Sequence, residues 1–173
     1  MRLISITLLF LALMLLGCRK KDPPIGNNAT AQLPPITTTG ANTFGCLVNG
    51  EVWLPKGDFP VSGLHADYTG GGFVINATKY INPGLEDVAI SIYPNSLQSV
   101  GTFFLNLSNA EARFTDSSCD LNGIKTDTSN VGKIEIIKFD TVNHIISGTF
   151  EFTVYNEACD TIKITQGRFD VNE

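Results

Sequence analysis

Residues 145–154 read Ile145-Ile146-Ser147-Gly148-Thr149-Phe150-Glu151-Phe152-Thr153-Val154, and residues 162–171 read Ile162-Lys163-Ile164-Thr165-Gln166-Gly167-Arg168-Phe169-Asp170-Val171. In the first stretch Phe150, Phe152 and Val154 alternate with Thr149, Glu151 and Thr153. In the second, Ile162 and Ile164 alternate with Lys163 and Thr165, and Phe169 and Val171 close the chain. Successive side chains of a strand point to opposite faces, so a period of two buries one face and wets the other. That is the behaviour of antiparallel sheets covered on one side.

The same period runs upstream. Ile134 and Ile136 alternate with Lys133 and Glu135, until Ile136-Ile137-Lys138-Phe139 breaks the pattern and predicts a bulge. Ala110–Thr115, Thr102–Leu107, Val88–Tyr93, Phe73–Tyr80 and Leu64–Tyr68 alternate too, with Gly70-Gly71-Gly72 and Asn82-Pro83-Gly84 as turns. Phe44–Val48 and Glu51–Leu54 flank Asn49-Gly50, a type I′ hairpin signal because both central residues need positive φ. Thr115–Asn130 reads as a polar loop. About nine to ten short strands at this spacing predict one all-β domain over 43–173, an antiparallel sandwich or a closed or partly open barrel. Gly101-Thr102-Phe103, Gly148-Thr149-Phe150 and, more weakly, Gly167-Arg168-Phe169 echo one another, and the expected cause is a shared local solution.

What precedes the domain is of another kind. Arg2 is followed by an apolar run, Leu3 to Leu16, too short for the ~20 residues of a membrane-spanning helix. A basic start, a short apolar stretch and small residues describe a signal peptide over 1–17. Leu15-Leu16-Gly17-Cys18 resembles the bacterial lipobox, which implies lipidation at the Cys18 thiol, a membrane anchor and, with Arg19 rather than Asp after the cysteine, the outer membrane. Residues 19–42 hold four Pro, four Thr and no aromatic residue, and read with Cys18 as a tether over 18–42.

The segment Thr43-Phe44-Gly45-Cys46-Leu47-Val48-Asn49-Gly50-Glu51-Val52-Trp53-Leu54-Pro55 resembles the opening of small, uncharacterised Bacteroidota lipoprotein domains. Ile145–Thr153 and Thr165–Asp170 resemble their closing hairpin. The resemblance implies a cell-envelope location and an all-β fold, and supplies no catalytic residue. Asp140-Thr141-Val142 and Asp160-Thr161-Ile162 resemble the Asp-Thr-apolar O-glycosylation sites of the same bacteria.

Charge narrows the function. The chain of 173 residues carries net −5. Residues 23–173 hold 8 basic and 16 acidic residues, net −8, which excludes the basic face a nucleic-acid binder needs. Of the remaining cysteines, Cys46 shares a face with Phe44 and Val48 and reads as a buried apolar group, while Cys119 and Cys159 fall in loops and form the expected disulfide. His65 and Asp67 share a strand face and could bind a metal, although a solvated edge explains them as well. His144 belongs to an exposed turn. Asp116, Asp120 and Asp127, with Asn122 and Asn130, form an oxygen-rich loop whose spacing matches no EF-hand. No nucleophile elbow, phosphate loop or dinucleotide fingerprint is present, so no catalytic residue, metal or cofactor is expected. Trp53 and Tyr93 are the candidate contacts for a glycan or envelope-protein partner, with cross-strand packing as the competing reading. The expected function is a non-enzymatic binding or scaffolding lipoprotein. The alternative is a lipocalin-like barrel carrying a small hydrophobic ligand.

Overall fold

The structure, a computed structural model, describes residues 32–173 apart from 59, 107, 118–120, 126–131 and 157–159, with the backbone alone for 121–125, 156 and 160. Its strands are β1 (Thr43–Val48), β2 (Glu51–Trp53), β3 (Leu64–Thr69), β4 (Gly72–Tyr80), β5 (Leu85–Ile92), β6 (Gly101–Phe104), β7 (Ala110–Asp116), β8 (Leu121–Lys125), β9 (Gly132–Asp140), β10 (Ile145–Asn156) and β11 (Asp160–Asn172). They form two antiparallel sheets, β2-β1-β11-β10-β9-β6 and β3-β4-β5-β7-β8, packed as a sandwich. The sheets do not close on each other, so the barrel on which the carrier reading rested is not the architecture. β8 occupies part of the stretch read as a polar loop; its Leu121–Lys125 pairs with β7 and extends the five-stranded sheet.

Alternation sets what lies inside. Phe44, Phe150 and Phe169 of the larger sheet face Phe73, Ile75, Val88, Ile90 and Phe114 of the smaller one, all buried. Each such side chain contributes about 1.5–3 kcal/mol through removal from water. Phe73 stacks on Phe169 across the sandwich at 5.6 Å between ring centroids, and Phe44 lies 5.1 Å from Phe150.

The hairpin of β10 and β11 is locked by two aromatic rings lying on two glycines. In its register Gly148 stands opposite Phe169, and Phe150 stands opposite Gly167. A methyl on Gly148 would meet Cζ of Phe169 at 2.9 Å, and one on Gly167 would enter the ring of Phe150. At Gly167 the missing side chain makes room for the paired ring, whereas at Gly148 the Glu135 carbonyl oxygen of β9 crowds the position more closely than the Phe169 ring does. Gly101 shares neither constraint, since a Cβ there would meet nothing within 4 Å among the described residues.

The predicted bulge is present. The β9–β10 register slips between Lys138 and Ile136, leaving Ile137 unpaired and half exposed. A second bulge went unread. Two residues of β11, Thr165 and Gln166, oppose the single Glu151 of β10, and Gln166 takes a left-handed φ of 51°. Asn49 and Gly50 have φ of 50° and 87°, as the predicted turn demands.

Gly167→Ala is expected to destabilise the domain by about 1–3 kcal/mol, the usual cost of overpacking a tight site. Gly50→Ala, strained in φ but open in space, is expected to cost about 1 kcal/mol. Urea denaturation of the two variants measures the ordering, and equal midpoints would show that the ring–glycine contact carries no weight.

Candidate functional site

The outward face of the six-stranded sheet is not bare. Residues 33–42, which the sequence assigned to the tether, lie along it as a strap. Leu33 is buried, and Leu33 and Pro34 sit over Gly45 of β1, where a Cβ would meet Pro34 Cδ at 2.8 Å. Arg168 Nη1 donates to the Pro34 carbonyl at 3.4 Å. The strap's composition gave no sign of this, because what holds it is backbone and hydroxyl rather than an apolar stripe.

The fastening is Asp170, 1% exposed, the outward residue between inward Phe169 and Val171. Its carboxylate accepts Thr37 Oγ1 at 2.7 Å, Thr39 N at 2.9 Å, Thr39 Oγ1 at 3.3 Å, Gly40 N at 2.8 Å and Ala41 N at 3.2 Å. Burial alone would raise this acid. The hydrogen bonds from Thr37 and from the amides of Thr39, Gly40 and Ala41 outweigh burial and hold it below the usual carboxylate range. Ser147, directly opposite on β10, is fully buried and its hydroxyl has no hydrogen-bond partner among the described residues.

Beside the strap the sheet surface dips. A cleft of about 230 Å³ is lined by strap residue Ile36 and by Glu135, Thr149, Glu151, Arg168 and Lys133. A second depression of about 170 Å³ lies on the other side of Glu151, reaching Thr153, Thr165 and Gly132. Both adjoin the β11 bulge, where pairing skips a residue opposite Glu151. Bulges disrupt a ladder locally and recur beside binding sites. Lys133 pairs with Glu151 at 3.4 Å between the two depressions. Phe104 of edge strand β6 stands directly opposite Lys133 and is 63% exposed, the most exposed aromatic among the described residues.

A larger cleft, about 460 Å³, opens at one end of the sandwich between β3 and β11 over Leu64, Ala66 and Val171. Its rim is largely engaged with itself. Ser62 Oγ donates to Leu64 O, Asn42 Oδ1 accepts Asn172 N, Asn172 Nδ2 donates to Asn143 O, and Glu173 meets His144 Nδ1. The strap-bordered cleft, with its charged rim and exposed ring, is the better candidate.

The residues singled out by sequence go elsewhere. Trp53 is 2% exposed, pairs with Cys46 across β1–β2, packs edge-on against Phe44 at 6.1 Å, and donates its indole N–H to Glu86 at 2.6 Å. Packing, not ligand contact, explains it, and it is withdrawn from the contact surface. Tyr93 is partly buried and donates to Glu111 at 2.8 Å; burial, this bond and the Glu111 charge raise its phenol. It belongs to the other sheet's side of the sandwich, so the two do not form one site. His65 and Asp67 share the exposed face of edge strand β3 as expected, and Asp67 accepts from Thr69 at 3.1 Å. No metal-ligand cluster occurs among the described residues. Cys46 is wholly buried, and burial pushes its thiol up to about 12, so it is no nucleophile. His144 is exposed in the turn after Asp140. Asp140 accepts the amides of Val142 and Asn143 and the side chain of Asn143. The Asn143 side chain, then the Asn143 amide and Lys138, lower its pKa. That leaves Thr141 and Val142 exposed at the tip. Cys18, Cys119, Cys159, Asp120, Asp127 and Asn130 lie outside the described residues.

A family model described as a domain of unknown function, DUF6252, matches residues 59–171. The chain belongs to the DUF6252 family. The DUF6252 match begins after β2, yet β1 and β2 complete the larger sheet and the strap crosses it. It contains all the sheet residues of the cleft and Asp170, but not Ile36. No curated protein and no solved structure matches the chain.

Asp170 also sets a pH dependence. Its folded pKa lies below the unfolded value, so its contribution is complete above the ordinary carboxylate range and is lost as pH falls through the folded pKa. Hydrogen exchange is expected to show Thr39, Gly40 and Ala41 amides protected at neutral pH and released in acid below that range. Asp170→Asn is expected to release them already at neutral pH, with a stability loss on the order of 3 kcal/mol. Unchanged protection in the variant would mean that something other than the carboxylate holds the strap.

Proposed function

We propose that this protein is a non-enzymatic binding module of the bacterial cell envelope, lipid-anchored through Cys18 and working through the outward face of its six-stranded sheet. The observation that supports this most is the strap. Asp170 holds residues 37–41 against that face, and the cleft opens beside them. One side of the sandwich is thereby shaped by the segment that leads toward the anchor. The lipobox-like Leu15-Leu16-Gly17-Cys18 supports the anchor, and the net −8 of residues 23–173 supports a partner other than nucleic acid. The outer membrane is the compartment that Arg19 favours.

Palmitate labelling in a bacterial host is expected to mark the protein and to vanish in Cys18→Ser. A photo-crosslinking residue at Glu135, exposed beside the cleft, is expected to capture an envelope component, while one at Asp67 on the other sheet is expected to capture none. Equal capture from both positions, or none from Glu135, would end the assignment of this face.

A further inference from the structure

The cleft's chemistry goes further than its position, given that the outward face of the six-stranded sheet is the working surface. We infer that it binds a neutral saccharide chain. Across the face, the β-ladder register sets Thr102, Glu135, Thr149 and Arg168 in one row and Phe104, Lys133 and Glu151 in the next. The row of polar residues offers both donors and acceptors. Across the two rows, two acids, Glu135 and Glu151, are matched by two bases, Lys133 and Arg168, so the face selects for neither charge. An anionic polymer would meet the acids and a cationic peptide the bases, in a domain already acidic. A molecule rich in hydroxyls and without net charge satisfies such a mixed rim at least cost in desolvation.

Size and shape agree. Each depression, about 230 and 170 Å³, is below the ~300 Å³ at which pockets for drug-sized ligands begin, and so has room for one small ring. The two lie in line on either side of Glu151, which fits successive units of a chain rather than one isolated sugar. Apolar plates stand at the margins. Phe104, 63% exposed, flanks Lys133, and Ile36 of the strap, 55% exposed, flanks Arg168 and Gln166. A sugar ring has an apolar face of C–H groups that rests on such a plate while its hydroxyls reach the polar row. A lipid tail would find too little apolar surface, and a peptide seeking backbone pairing would use a sheet edge rather than a face.

The test uses the full-length, membrane-extracted protein in detergent, titrated by calorimetry with linear neutral oligosaccharides of glucose, mannose, xylose and N-acetylglucosamine, and with polygalacturonate as the anionic comparison. At least one neutral chain is expected to bind, more tightly than its own monosaccharide and more tightly than polygalacturonate. Phe104→Ala, at an exposed position where truncation leaves the core intact, is expected to weaken binding about tenfold. Thr149→Trp, which fills the first depression, is expected to abolish it, and Asp67→Ala to leave it unchanged. Thermal melting of each variant separates lost binding from lost fold. Absence of binding by every neutral chain, binding that survives Thr149→Trp, or preference for polygalacturonate would overturn the inference. Capture of a protein from the Glu135 crosslinker together with no saccharide binding would leave the face as the working surface and remove the saccharide. Failure of both would remove both.

Discussion

Asp170 is the constraint from which the outward half of this structure follows. An acid that is 1% exposed is tolerated only where donors replace the water it has lost. Here the donors are two threonine hydroxyls and three consecutive amides of residues 39–41, all from outside the sheets. Once those five bonds form, the chain before β1 is fixed from Thr37 to Ala41. Leu33 and Pro34 then fall over Gly45, and Ile36 falls at the margin of the cleft. The strand that carries Asp170 is the same one that places Phe169 on Gly148 and opens at Gln166, so core, strap and cleft share β11.

Much of this was written in the period-two pattern. The alternation of Phe150, Phe152 and Val154, the Asn49-Gly50 turn and the broken register at Ile137 gave strands, a hairpin and a bulge because each is a local relation between neighbours. β8 was not legible, because Leu121-Asn122-Gly123-Ile124-Lys125 is short, polar and without alternation, and it forms by pairing with β7. The strap was hidden for a similar reason. Pro34-Pro35 and Thr37-Thr38-Thr39 read as solvated linker, and the partner that orders them is more than 100 residues away. The bulge at Gln166 left no local mark either, since it depends on β10 presenting one residue where β11 presents two.

The candidate site shows the same division. Sequence pointed to two aromatics, Trp53 and Tyr93, and Trp53 turned inward because residue 53 falls in register with Cys46 on the buried side of β1. Phe104 lay inside the alternating stretch Thr102–Leu107 and was not singled out. Its importance comes from lying opposite Lys133, beside a cleft that four separate segments build. Cross-strand neighbours that are distant in sequence cannot be recovered from spacing alone. Membership of the DUF6252 family gives the domain a kinship without a role, and the role proposed for it rests on this surface.

The segment before the domain is held by Asp170 as a fixed part of the sheet's outward face. Backbone ¹⁵N relaxation of the isotopically labelled, full-length protein tests it most directly. Order parameters of ~0.85 are expected for Thr39, Gly40 and Ala41, equal to those of Phe169, Asp170 and Val171. Values below ~0.6 for the three strap residues, with β11 rigid, would contradict it.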